Sequence, residues 1–255
     1  MIRTLIIWLI LGFTAPQVSL AQRTSLKGIQ EKEGALIRSD STQKTIYLMF
    51  TAHEFGEGIP FILETFDTYH IKGSFFLTGD FIRNNRSLVT LLHKKGHYVG
   101  PHSDKHLLYC DWGNRDSLLI SMDSFKNDLH ANISELVEIG IPKKEIRFFM
   151  PPYEWYNKRI SEMVSAEGLK LINFTPGTSS NVDYTTPDMP NYVSSDSIYN
   201  RIIRYESIHS SGLNGFHLLI HAGMDPKRTD KLYARLAELI NLLQHKGYTF
   251  SKINN

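Results

Sequence analysis

His102 and His106 stand four residues apart in the segment His102-Ser103-Asp104-Lys105-His106. On a turn of helix, side chains at i and i+4 share a face and can reach one ion. Imidazole is also the commonest protein metal ligand and titrates near neutral pH. The pattern is weak alone, because two surface histidines in a loop satisfy it as well and the chain holds 11 His in all. Its company strengthens it. His53-Glu54, Glu154, Asp183 and His221 each follow a segment that reads as a strand. Carboxylates and imidazoles gathered in that way can hold a divalent ion, move protons, or do both. His93, His97, His130, His209 and His245 sit in or beside helical segments and are expected to be solvated. His217 lies inside a strand and is expected to face a helix.

The elements that must position these groups alternate along the chain. Residues 45–51, 73–79, 98–102, 147–150, 169–174, 215–221 and 248–253 are β-rich or continuously apolar and read as strands. Between them, 59–69, 81–95, 116–139, 158–167, 197–207 and 229–246 carry helical patterns. Gly96 and Gly140 close two of these, and Pro151-Pro152 stops the fourth strand. The β-α-β-α rhythm implies a largely parallel sheet. About seven strands in one domain fit a closed or nearly closed α/β barrel. Reactive groups in such barrels lie at the C-terminal strand ends, where the five segments named above fall.

Composition excludes other classes. With 42% hydrophobic and 21% charged residues the chain is ordinary globular material. One Cys, Cys110, excludes a disulfide framework and a Cys-rich zinc module; it is expected to be a buried thiol. A net charge of +2 offers no electrostatic case for nucleic acid. Residues 1–21 run from a basic start through an apolar stretch to Ser19-Leu20-Ala21, the pattern of a cleavable signal peptide. The apolar run is about ten residues and a spanning helix needs roughly 20, so a secreted or periplasmic protein without stable membrane insertion is expected. Residues 22–43 read as an N-terminal extension and 44–255 as the barrel.

From Ile46 to Ile253 the chain resembles the polysaccharide deacetylases, the chitin, peptidoglycan and xylan deacetylase group. The segment ILETFDTYHIKGSFFLTGDFI, from Ile62 to Ile82, is similar to that family's first helix and second strand. His102-Ser103-x-x-His106 matches its metal-binding HSxxH motif, Pro152-Tyr153 the end of its RxPY motif, and Leu219-Ile220-His221 its LxH motif. Asp183-Tyr184 stands where an Asp-Trp pair is usual. The resemblance implies a distorted (β/α) barrel, Zn²⁺ or another divalent metal, and removal of acetyl groups from an acetylated glycan or oligosaccharide. It makes His221 the general acid, Leu219 part of the acetyl pocket, and His102 and His106 metal ligands.

The first motif departs from the family. A strand ending Thr-Phe-Asp-Asp-Gly is usual, its Asp residues serving as base and metal ligand. Here those positions are Thr51 and Ala52, and the Arg that pairs with the base is Met150. An Arg left there would lose its counter-charge, at a cost of about 3–5 kcal/mol, and Met150 removes that penalty. His53-Glu54 lies two residues further on. Because side chains alternate along a strand, a shift of two keeps the faces. On that argument Glu54 becomes the carboxylate ligand and His53 the base or its close partner, with the reverse assignment of the base left open. Asp183 would orient His221 and favour its charged form. Tyr153, Trp155 and the neighbouring Trp112 suggest a carbohydrate groove. Glu154 could serve as a further ligand, as the base, or as an acceptor for sugar hydroxyls. Two other functions remain: a non-catalytic carbohydrate-binding protein on the same scaffold, and an amidohydrolase acting on a small non-sugar amide.

Overall fold

The computed structural model describes residues 28–254, so the signal-peptide reading of residues 1–21 lies outside the described residues. Among the described residues, nine strands run in chain order: β1 (Gln30–Lys32), β2 (Ala35–Arg38), β3 (Thr45–Ala52), β4 (Ser74–Leu77), β5 (Tyr98–Pro101), β6 (Phe148–Phe149), β7 (Lys170–Leu171), β8 (His217–His221) and β9 (Thr249–Ser251). All seven expected strands are present. β3 is apolar on both faces and takes the central place, since only a strand covered on both sides tolerates that composition. It pairs in parallel with β4 and with β8, and its first residues pair with β9. β4 pairs in parallel with β5, and β6 with β7.

The ring is completed by single contacts instead of full ladders. The Met150 N–H donates to Pro101 O at 3.3 Å, joining the β6 end to β5. Isolated bridges join Leu36 to Ile172 and Arg38 to Phe216, and Thr175 N–H donates to His217 O at 3.0 Å. The result is a distorted barrel. Leu36, Met49, Phe76, Tyr98, Phe148, Met150, Ile172, Leu219 and Ile253 fill its interior, while a larger apolar cluster lies between the strands and the helices.

Several sequence expectations change here. The hairpin β1–β2 lies in the supposed extension, yet β2 bridges to the residue after β7 and the residue before β8. The barrel therefore begins before residue 44. The helical run 81–95 is two helices, Gly79–Asn84 and Arg86–Lys94. Asn85 leaves helical geometry at φ −134°, and its side-chain amide donates to Phe81 O at 2.9 Å. The helix expected from residue 116 starts at Met122, where Ser121 caps it by accepting from Ser124 N–H at 3.1 Å. His97 is buried rather than solvated, against Phe66 and Phe75, where its Nδ1 accepts from Gly73 N–H. His217 shares the face of Leu219 and His221, so it packs beside Tyr47 at the far end of the barrel and not against a helix. Cys110 is buried. Among the described residues, no helix is long and apolar enough to cross a membrane.

Candidate active site

A cleft of about 570 Å³ opens at the C-terminal ends of the strands and is lined by His53, Glu54, His102, His106, Tyr153, Glu154 and His221, with Thr51 among its other lining residues. A cavity of about 630 Å³ lies elsewhere, lined by Ser39, Asp40, Tyr47, Arg147 and Lys170 among others, and contains no histidine. Register explains how the first cleft gathers its groups. Thr51 is level with His221 on β8 and with Phe76 on β4, so the last inward residue of each strand meets the others at one depth.

The strongest element is His221 with Asp183. The Asp183 carboxylate is fully buried at the end of a short 3-10 turn, Ser180–Val182. One oxygen lies 2.6 Å from His221 Nδ1 and the other accepts from the His221 backbone N–H at 3.0 Å. Burial disfavours a charged His221. The Asp183 carboxylate, its hydrogen bond and the nearby Glu154 outweigh that burial and raise the imidazole above its ordinary pKa. Glu154 shares the cleft with this pair. Burial pushes its carboxyl up to about 7, with Asp183 adding to the rise and His221 opposing it. Tyr153 and Glu154 both hold left-handed φ, 59° and 52°, which costs non-glycine residues about 1–3 kcal/mol each and is tolerated where surrounding structure over-determines it. Here Asn173 Nδ2 donates to Glu154 O at 2.8 Å and fixes the turn.

His102 and His106 do meet, by a route other than the expected helical turn. The segment after β5 has no helix; left-handed φ at Ser103 (72°) and His106 (55°) folds it so that the two rings stand 5.1 Å apart. His102 Nδ1 lies 2.9 Å from Met150 O, so the ring donates there and keeps its Nε2 lone pair. Asn132 fixes the same corner: its Oδ1 accepts from His102 N–H at 2.8 Å and its Nδ2 donates to Leu77 O. Burial lowers His102 to about 3; burial with the neighbouring His102, His53 and His221 lowers His106 to about 2. Both rings are neutral at physiological pH. The intervening Asp104 faces away and is held by Arg83 at 2.7 Å.

The first motif is arranged otherwise than the strand-parity argument expects. β3 ends at Ala52, and His53-Glu54 is a bend. Alternation applies only while the strand continues, so Glu54 turns outward and is exposed at the cleft mouth, away from a place beside His102 and His106. His53 turns inward. Its Nδ1 lies 3.1 Å from Thr78 Oγ1, and its ring runs nearly parallel to His106, 4.6 Å between centroids. Thr51 Oγ1 is buried in the cleft with no hydrogen-bond partner.

Among the described residues, no three His, Cys, Asp or Glu side chains are already gathered about one point as a metal would require. The donor chemistry nonetheless fits a divalent ion: neutral imidazoles line one cleft, and the two with a hydrogen-bonded Nδ1, His53 and His102, leave Nε2 free. Of the expected sugar contacts, Tyr153 lines the cleft and packs on His106. Trp155 lies behind it, donating to Asp111 O and stacked under Arg115. Leu219 is fully buried among the interior side chains below the cleft, which explains why it misses the lining. Thr78, Asn132 and Asn173 escaped the sequence reading, since nothing in the order of residues marks a polar side chain that folds back on a distant strand end.

A parallel barrel whose strand ends present this cleft defines the class, and a family model agrees: residues 38–172 match the polysaccharide deacetylase model, so the chain belongs to the polysaccharide deacetylase family. Among curated relatives, it is 26% identical over 226 residues to an uncharacterized 30.6 kDa protein of Geobacillus stearothermophilus, covering 88% of this chain and 75% of the relative. It is 21% identical over 230 residues to the peptidoglycan-N-acetylmuramic acid deacetylase PdaA of Bacillus subtilis, covering 90% and 78%. A solved CE4 family pseudoenzyme from Bacillus anthracis shares the fold at a TM-score of 0.68 and 19% identity, covering 88% of this chain and 68% of that one.

Proposed function

We propose that this protein is an exported hydrolase that removes acetyl groups from an acetylated glycan. The observation that carries the reading is the buried Asp183–His221 pair aimed into a cleft that also holds a half-neutral carboxyl, Glu154. A deacetylase must take a proton from the attacking water and return one to the departing amine or alkoxide, and two titratable groups in one cleft supply both. His221, whose charged form Asp183 favours, donates to the leaving group. Glu154, poised near 7, accepts from water. His102 and His106 would hold a divalent ion, which when bound acidifies water and polarises the acetyl carbonyl. Trp112, Tyr153 and Tyr184 are exposed at the rim and offer faces on which sugar rings can stack. The relative named as a peptidoglycan-N-acetylmuramic acid deacetylase supports a cell-wall glycan as substrate.

Acetate release from acetylated peptidoglycan fragments, chitin oligosaccharides and acetylated xylan tests the reading. His221→Ala is expected to lower kcat by ~10²–10⁴-fold. A wild-type protein that binds these glycans, loaded with zinc, and releases no acetate overturns the enzyme reading in favour of a carbohydrate-binding protein.

A further inference from the structure

We infer that His53 takes the place of a carboxylate and forms, with His102 and His106, a three-imidazole site for a divalent cation. The acidic groups of the cleft are committed or misplaced. Glu154 lines it, but its electrostatic neighbours are His221 and Asp183, while those of His106 are His102, His53 and His221. Asp104 is held by Arg83, and Asp183 by His221. Glu57 accepts from Met224 N–H and Tyr233 OH, and Glu54 is exposed at the mouth. His53 is the group that the bend after β3 turns toward the pair.

The spacing fits. Three imidazoles bound through Nε2 at about 2.0–2.1 Å in a tetrahedral set place their ring centres roughly 5 Å apart. The observed separations are 5.1 Å for His102–His106 and 4.6 Å for His53–His106. The near-parallel His53 and His106 planes, 9° apart, must turn for both rings to face one ion. Turning a ring about Cβ–Cγ does this, and that torsion is broad in histidine. Ligating histidines as a rule donate their second ring N–H to a carbonyl or other acceptor, which fixes the tautomer. His102 has Met150 O in that role; His53 has Thr78 Oγ1, itself held as the cap that accepts from Phe81 N–H. Independently, Thr51 Oγ1 lines the cleft floor at 2% residue exposure with no partner, as a hydroxyl does where a bound group or its water belongs.

The inference shares the cleft of the proposed deacetylase but is read from ion binding instead of acetate. Chelator-stripped protein is titrated with Co²⁺, following visible absorption and ion content by equilibrium dialysis. One ion per chain is expected in the wild type. His53→Ala should weaken binding by more than about 100-fold, beyond the 10–100-fold typical of a supporting residue. Glu54→Ala should leave binding unchanged. His53→Asp should retain the ion with an altered spectrum, which keeps the test valid if the alanine variant folds poorly. A wild type that binds no ion, or a Glu54→Ala protein that loses it while His53→Ala keeps it, overturns the assignment. A wild type that binds the ion through His53 yet releases no acetate leaves it standing and sinks the deacetylase reading alone.

Discussion

Replacing Glu154 by Gln keeps the shape and removes the charge, and its effect on stability should depend on pH in a defined direction. The folded-state pKa, about 7, lies above the ordinary value of 4.5. Between these values the folded protein holds a proton that the unfolded chain has lost, so stability falls as pH rises through that window. Below it the carboxyl is neutral in both states and costs nothing electrostatically. At about 1.4 kcal/mol per tenfold change in proton affinity, ionising the group in the fold costs at most roughly 3 kcal/mol. The side chain is partly open to the cleft, so solvent screening reduces this to about 1–2 kcal/mol. Glu154→Gln should therefore match the wild type at pH 4.5 and exceed it by ~1–2 kcal/mol at pH 8.5. Urea unfolding at the two pH values measures this as a shift in midpoint at constant slope, and other titrating groups cancel in the difference. Equal stabilities at pH 8.5, or an advantage confined to acid, refute the placement of an isolated carboxyl in the cleft. The same variant loses the proposed proton acceptor, so acetate release should fall while the protein becomes more stable.

Asp183→Asn removes the charge that raises His221. Because that folded pKa is raised, the stabilisation it represents is present in acid and lost as pH rises through it, so the variant should be destabilised more at pH 5.5 than at pH 9. Its rate profile should also lose the alkaline limb at lower pH than in the wild type; coincident profiles would show that Asp183 only packs. Thr51→Val replaces a buried hydroxyl that lacks a partner by an isostere, and in metal-stripped protein this should raise stability by about 1–3 kcal/mol. A loss in the urea midpoint would show that the hydroxyl is satisfied within the fold.

The sequence by itself determined the barrel. Continuous apolar runs such as TIYLMFT and the amphipathic stretches between them have few other ways to bury their surface, so the β-α alternation and the strand ends were legible as pattern. It also determined which residue types stand at those ends, including His102, His106, Asp183 and His221. Tertiary structure decided how they meet. The His102–His106 approach depends on left-handed φ at Ser103 and His106, a backbone state that neither residue type announces. Where β3 stops set the fates of His53 and Glu54, because one residue of strand more or less exchanges inward for outward. Glu154 has no motif, and its raised pKa comes from burial near Asp183, which lies on a different segment. Local pattern fixes elements because their periodicity is a property of neighbouring residues. Proton affinities, ring contacts and orphaned hydroxyls belong to the space between elements and arise only once distant segments share a cleft.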